Sequence, residues 1–169
     1  QSESFAGTTW TAAAGAYENL PVNDVTWYQA YAFCIWDGGF LPSEAEWNFA
    51  ASGGSEQRVY PWSTPPDSTT VDCSYANYTV FTDAGRQQPC VSTQPLYRGF
   101  PNNVGSESPK GDGKWGQADL ARNVYEWTLD AYEPYVDPCT NAAPALPEAT
   151  GESRRCRGGL ALRDERWHR

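Results

Sequence analysis

Apolar positions along this chain keep a regular period only in short runs. Trp27, Ala30, Tyr31 and Cys34 recur at helical spacing, and Gly38-Gly39 closes the run. Thr26 stands before it with Gln29 three residues on, the capping-box pattern in which the two side chains satisfy each other's backbone N–H groups. The run therefore predicts a helix starting at Thr26, with Cys34 on its buried face. A second run, Trp47, Ala50 and Ala51, follows Pro42-Ser43-Glu44-Ala45-Glu46 and stops at Gly53-Gly54. Ser43 and Glu46 form a second capping box, and Glu44 suits the positive end of the helix dipole. Both acids thus have structural work and are not read as a catalytic pair. Asn123 to Thr128 alternates instead, Val124 to one side and Tyr125 and Trp127 to the other, as a short strand does.

The rest of the chain lacks a period. Gln1–Leu20 is small, polar and irregular, and Ser63 to Lys114 is punctuated by Pro and Gly. A loop that long in a compact domain is functional, or held by metal or disulfide. Tyr60-Pro61-Trp62 is predicted to be an aromatic plug. With 8 Trp, 10 Tyr, 15 Gly and 13 Pro in 169 residues, the composition points to one loop-rich domain spanning 1–169 and anchored by large rings. Residues 160–169 form a basic tail in which His168, the sole histidine, is expected to face solvent. No stretch is long enough for a membrane span, and no segment has the form of a signal peptide. A mature, processed or excised piece is the expectation.

A net charge of −9 argues against nucleic acid, which needs a basic patch. The single Arg157-Gly158-Gly159 triplet does not change that. Acidity suits an extracellular protein or one that holds divalent cations. The five cysteines form no C-x-x-C and lack histidine partners, which disfavours zinc and favours disulfides in an oxidising compartment. Cys73 with Cys90 and Cys139 with Cys156 are the preferred pairs among the three possible pairings of these four, and Cys34 is left over. Asn77-Tyr78-Thr79 matches the N-glycosylation sequon. No G-x-S-x-G elbow or P-loop is present.

Several segments together resemble a known family. These are Val25-Thr26-Trp27 with Ala30, Leu41-Pro42-Ser43-Glu44-Ala45-Glu46-Trp47-Asn48-Phe49-Ala50, Tyr60-Pro61-Trp62, Asn123-Val124-Tyr125-Glu126-Trp127-Thr128 and Arg157-Gly158-Gly159. Their order over Pro21 to Gly159 is similar to that of the formylglycine-generating enzyme, or sulfatase-modifying-factor, family. The resemblance implies an α+β, modified C-type-lectin-like fold, low in regular structure and steadied by calcium. It implies calcium ligands at Asn123, Val124 and Glu126, and a second site at Asn77, Tyr78 and Asp83. Oxygen donors of this kind, from carboxylates, amides and carbonyls, are what calcium takes.

The founding activity of the family is copper-dependent oxidation of a sulfatase cysteine to formylglycine. It uses a cysteine pair downstream of the R-G-G motif, and no cysteine follows Gly159 here. Copper is therefore not expected in this chain, and neither are catalytic residues. The family's opening strand pair and helix are reduced to Gln1–Leu20, and its helix-one cysteine often bonds one near the C-terminus, which accounts for Cys34. Arg122 replaces the glycine before Asn123; if that position needs a positive φ, the arginine costs on the order of 1 kcal/mol. The leading expectation is a non-catalytic extracellular binding or structural module with a protein or glycan partner. Alternatives are a fragment of an active copper oxidase, and a calcium-dependent lectin, although E-P-N, Q-P-D and W-N-D are all missing.

Overall fold

A computed structural model describes residues 8–81, 87–90, 101–131 and 154–158; for 79–81, 87–89, 131 and 154–158 it describes the backbone alone. Helix α1 runs Trp27–Trp36 and helix α2 Glu44–Ala51. Both begin in the predicted capping boxes: the Thr26 side chain accepts from the Gln29 N–H, and the Ser43 side chain from the Glu46 N–H. Their ends are set by glycine. Gly38 lies at φ 81° just past α1, and Gly53 and Gly54 both at 67° past α2, where one turn of 3-10 helix follows. A Cβ at Gly54 would sit 2.9 Å from the Phe49 ring, so that close approach as well as the positive φ calls for glycine.

The strands are β1 (Thr79–Phe81), β2 (Gln87–Pro89), β3 (Tyr125–Ala131) and β4 (Arg154–Gly158). They form two antiparallel two-stranded sheets, β1 with β2 and β3 with β4. The described residues hold two α-helices and two small sheets with little regular structure, and the two helices and the sparse regular structure are as expected. In β3·β4, Tyr125 pairs with Gly158, Glu126 with Arg157 and Trp127 with Cys156, and the register shifts before Ala131. The Arg157-Gly158 part of the triplet is thus strand backbone. The predicted strand starts two residues later than the alternation suggested. Asn123 has φ 68° and Arg122 φ 85°, values that belong to a turn.

Strand β3 is the frame on which both helices are fixed, and successive residues along it supply the contacts. Glu126 Oε2 accepts from Trp47 Nε1 at 2.7 Å, and Trp127 Nε1 donates to the Val25 carbonyl at 3.0 Å. The Thr128 carbonyl accepts from Trp27 Nε1 at 2.8 Å. The Leu129 N–H donates to the Pro42 carbonyl, and the Asp130 carboxylate accepts from the Glu44 N–H. Glu44 is therefore buried against β3, where the first-turn reading had expected it to serve the helix dipole. Two small cores flank this frame: Trp47, Ala51 and Leu120 in one, and Ala76, Tyr78 and Cys90 in the other, with Trp62 and Val71 packed on it.

The aperiodic stretch after Ser63 is held in two ways. Cys73 and Cys90 form the expected disulfide, and Tyr60, Trp62 and Tyr75 stack in a column with successive ring centroids 5.1 and 5.4 Å apart. Cys139, the Cys156 side chain and His168 lie outside the described residues. Cys34 carries a free thiol and is half-buried, so α1 covers its inner face less completely than its spacing suggested. No helix among the described residues is long and apolar enough to cross a membrane.

Candidate metal centre

The turn entering β3 carries three non-glycine residues at positive φ: Asp119 (58°), Arg122 (85°) and Asn123 (68°). Such a run is expensive for L-residues and persists where surrounding contacts over-determine it. Here those contacts converge on the side-chain amide of Asn123, which is 2% exposed. Its Oδ1 accepts from the Asn102 N–H at 2.8 Å and from Asn77 Nδ2 at 3.3 Å, while its Nδ2 donates to the Asn102 carbonyl at 3.2 Å. The same amide hydrogen-bonds the Asp119 carboxylate. Asn123 therefore ties the 101–113 loop, the Asn77 segment and the β3 turn together.

Two of the sequence-predicted segments meet here, because Asn77 and Asn123 bond directly across 46 residues of chain. Asn77 is 4% exposed, so the sequon asparagine is enclosed in the folded protein. Tyr78 is buried, and its carbonyl accepts from the Cys90 N–H at 2.7 Å. Burial pushes its phenol up, and the Asp72 charge adds to the shift. Val124 is half-buried, and its N–H turns back to the Arg122 carbonyl at 2.9 Å. Asp83 lies outside the described residues.

Glu126 is held by the Trp47 indole, which belongs to the core cluster with Leu120. Burial raises its carboxyl above the usual carboxylate range; the indole N–H opposes that, and the charge of Asp119 adds to it. Asp119 is raised as well, first by burial and then by the charges of Glu107 and Asp112, against the Gly105 N–H and the Asn123 amide. Its Oδ2 accepts from that Gly105 N–H at 2.8 Å. Glu107, itself buried, accepts from Asn102 Nδ2 and from the Ser106 hydroxyl, both at 2.8 Å. The neighbourhood thus gathers carboxylates that repel one another and are met by neutral donors.

Burial pulls the Arg122 guanidinium down, and the groups opposing that shift are the Tyr125, Tyr60 and Tyr78 phenols. Asp119 was missed in the sequence, although it is an acid seven residues before Glu126 in the same turn motif.

Carboxylate and amide oxygens are the donor type that a hard cation takes. Glu126 and Asp119 carry carboxylate oxygens. Among the described residues no three acidic, Cys or His side chains converge on one point. A cation here would therefore draw on carbonyl oxygens too, as calcium does. The set has no soft sulfur donor for copper(I). The Asn123 amide ties the turn to Asn102 and Asn77.

Comparison with known proteins agrees with the motif order. Residues 2–168 match the model of the sulfatase-modifying factor enzyme 1-like domain. The chain is 32% identical to a formylglycine-generating enzyme of Thermomonospora curvata, over 90% of the chain and 53% of that protein. It is 34% identical to the inactive C-alpha-formylglycine-generating enzyme 2 of Mus musculus, over 68% of the chain and 33% of that protein. It is also 33% identical to the serine/threonine-protein kinase Pkn1 of Chlamydia trachomatis, over 88% of the chain and 21% of that protein. The chain thus spans about half the length, or less, of these relatives. Matched along nearly its whole length, it belongs to the sulfatase-modifying factor enzyme 1-like, or formylglycine-generating-enzyme-like, domain family.

Proposed function

We propose that this chain is a non-catalytic binding or structural module of its family, with the modified C-type-lectin-like fold, steadied by calcium and working outside the cytoplasm. The observation that carries the reading is the Glu126–Asp119 pair. Two carboxyls raised first by burial, Glu126 further by the Asp119 charge and Asp119 by those of Glu107 and Asp112, beside a turn at positive φ, cost stability unless a cation compensates them. When bound, calcium would supply that charge and draw the β3 turn and the 101–113 loop together. It would do no redox chemistry, because calcium has none to offer.

Two further observations support the module over the oxidase. Among the described cysteines, Cys73 and Cys90 are bonded to each other and Cys34 stands by itself, whereas the copper chemistry calls for two thiols together. A relative over two thirds of the chain bears the name of an inactive enzyme. The Cys73–Cys90 disulfide supports an oxidising compartment.

A second reading, a fragment of an active oxidase, draws on the match to a formylglycine-generating enzyme over 90% of the chain. Incubating the protein with copper(I), oxygen and a C-x-P-x-R peptide separates the two. The module leaves the peptide cysteine unchanged in the mass spectrum, and conversion to formylglycine would establish the oxidase.

A further inference from the structure

A buried oxygen beside the candidate centre stands without a hydrogen bond. Asn102 is 7% exposed, and among the described residues its Oδ1 has no partner. The other end of the same amide is committed, Nδ2 donating to Glu107 Oε1 at 2.8 Å. A carboxylate only accepts, so the nitrogen has to face Glu107 and the oxygen is turned away from it. A buried acceptor left this way is costly, and native folds rarely tolerate one.

Its surroundings say what would satisfy it. The Asn102 N–H and carbonyl are both bonded to the Asn123 amide, and the same amide holds the Asp119 carboxylate. Gly105, three residues on, donates to Asp119 Oδ2. Asn102 and Asp119 are thus direct neighbours of one side chain. Among the described residues neither Glu107 nor Asp119 has a cationic partner, the ion pairs there being those of Glu56 with Arg58 and Lys114. A water would satisfy the amide oxygen but bring no charge to these acids. A hard cation does both, and a side-chain amide oxygen is among the ligands calcium takes.

Resting on the calcium reading above, we propose that Asn102 Oδ1 is a further ligand of the cation held by Asp119 and Glu126. Glu107 is a positioning residue: by engaging Nδ2 it fixes the amide with its oxygen left for the ion. The ligand comes from the 101–113 loop, so a single cation pins that loop to the turn before β3. Two acids and one amide oxygen also agree with the finding that, among the described residues, no three acidic, Cys or His side chains converge.

Calcium titration calorimetry on the full chain, with europium(III) luminescence lifetimes to count the waters on a bound ion, tests this. Asn102→Ala removes the oxygen but leaves both main-chain bonds to Asn123. It should weaken calcium at least about 10-fold, a loss that even an outer-shell partner can cause, and add one water to bound europium. Asn102→Asp restores an oxygen and should restore the wild-type water count. Glu107→Gln keeps an acceptor for Nδ2 and should keep that count too, and Asn103→Ala, at an exposed neighbour, should change neither reading. Wild-type affinity and water count in Asn102→Ala would overturn the inference and leave the calcium reading standing. Lost affinity without an added water would make Asn102 structural and also overturn it. A wild type that binds no calcium would overturn the reading and the inference together.

Discussion

The Trp47 indole nitrogen lies 2.7 Å from Glu126 Oε2, joining α2 to the first residues of β3 across 79 positions of chain. One bond thereby fixes the helix, the core around Leu120 and a carboxylate whose proton affinity is raised. If calcium compensates that carboxylate, Glu126→Gln keeps an oxygen for the indole but loses the charge. Without calcium the variant should be as stable as the wild type or more so, by up to about 2 kcal/mol, since an uncompensated charge has gone. With calcium the wild type should gain stability and the variant should not. Denaturant melts with EGTA or with millimolar calcium read both arms.

The pH dependence follows from the same groups. Glu126 and Asp119 both have folded-state carboxyls above their ordinary values of 4.5 and 3.8. The stability they contribute is therefore fully present below those ordinary values and is lost as pH rises through the raised folded ones. Calcium competes for the same oxygens. The metal-free protein should lose these groups' contribution as pH rises above about 4 and through the raised folded values, and calcium's stabilising increment should grow over the same rise. Urea melts at half-unit pH steps, with and without calcium, check the opposed slopes.

Arg122 holds φ 85° where the family motif has glycine. Relief of that backbone strain is worth about 1 kcal/mol, so Arg122→Gly should stabilise slightly. Arg122→Ala keeps the strain and removes the guanidinium from among Tyr60, Tyr78 and Tyr125, so it should destabilise. Opposite signs for the two variants in thermal melts would separate the backbone from the side chain.

The Cys73–Cys90 bond spans 17 residues in a stretch with little regular structure. Replacing both cysteines by serine should cost about 3 kcal/mol through the longer reach of the unfolded chain. Equilibrium unfolding of oxidised wild type against the double variant measures it.

What the sequence disclosed was local. Both capping boxes, the glycine stops, the aromatic plug at Tyr60 and Trp62 and the Cys73–Cys90 preference rest on neighbours within a few turns or one loop, and all are present. Contacts between distant segments were not legible. Nothing near Glu126 announces Trp47, and nothing near Asn123 announces Asn77 or Asn102, because these meetings depend on how the 63–114 stretch is folded back. Asp119 was overlooked for a related reason: its approach to Glu126 depends on a turn whose positive φ values no residue type but glycine would advertise. Helix α1 shows a different gap. Its inner period was readable, but reading one face left unremarked that the opposite face is apolar as well.

The most direct test of the account is a calcium measurement on the desalted protein, wild type beside Glu126→Gln. Retention of about one equivalent or more by the wild type, lost in the variant, is the predicted result. Less than half an equivalent in the wild type, with no rise in its melting temperature on adding calcium, would contradict it.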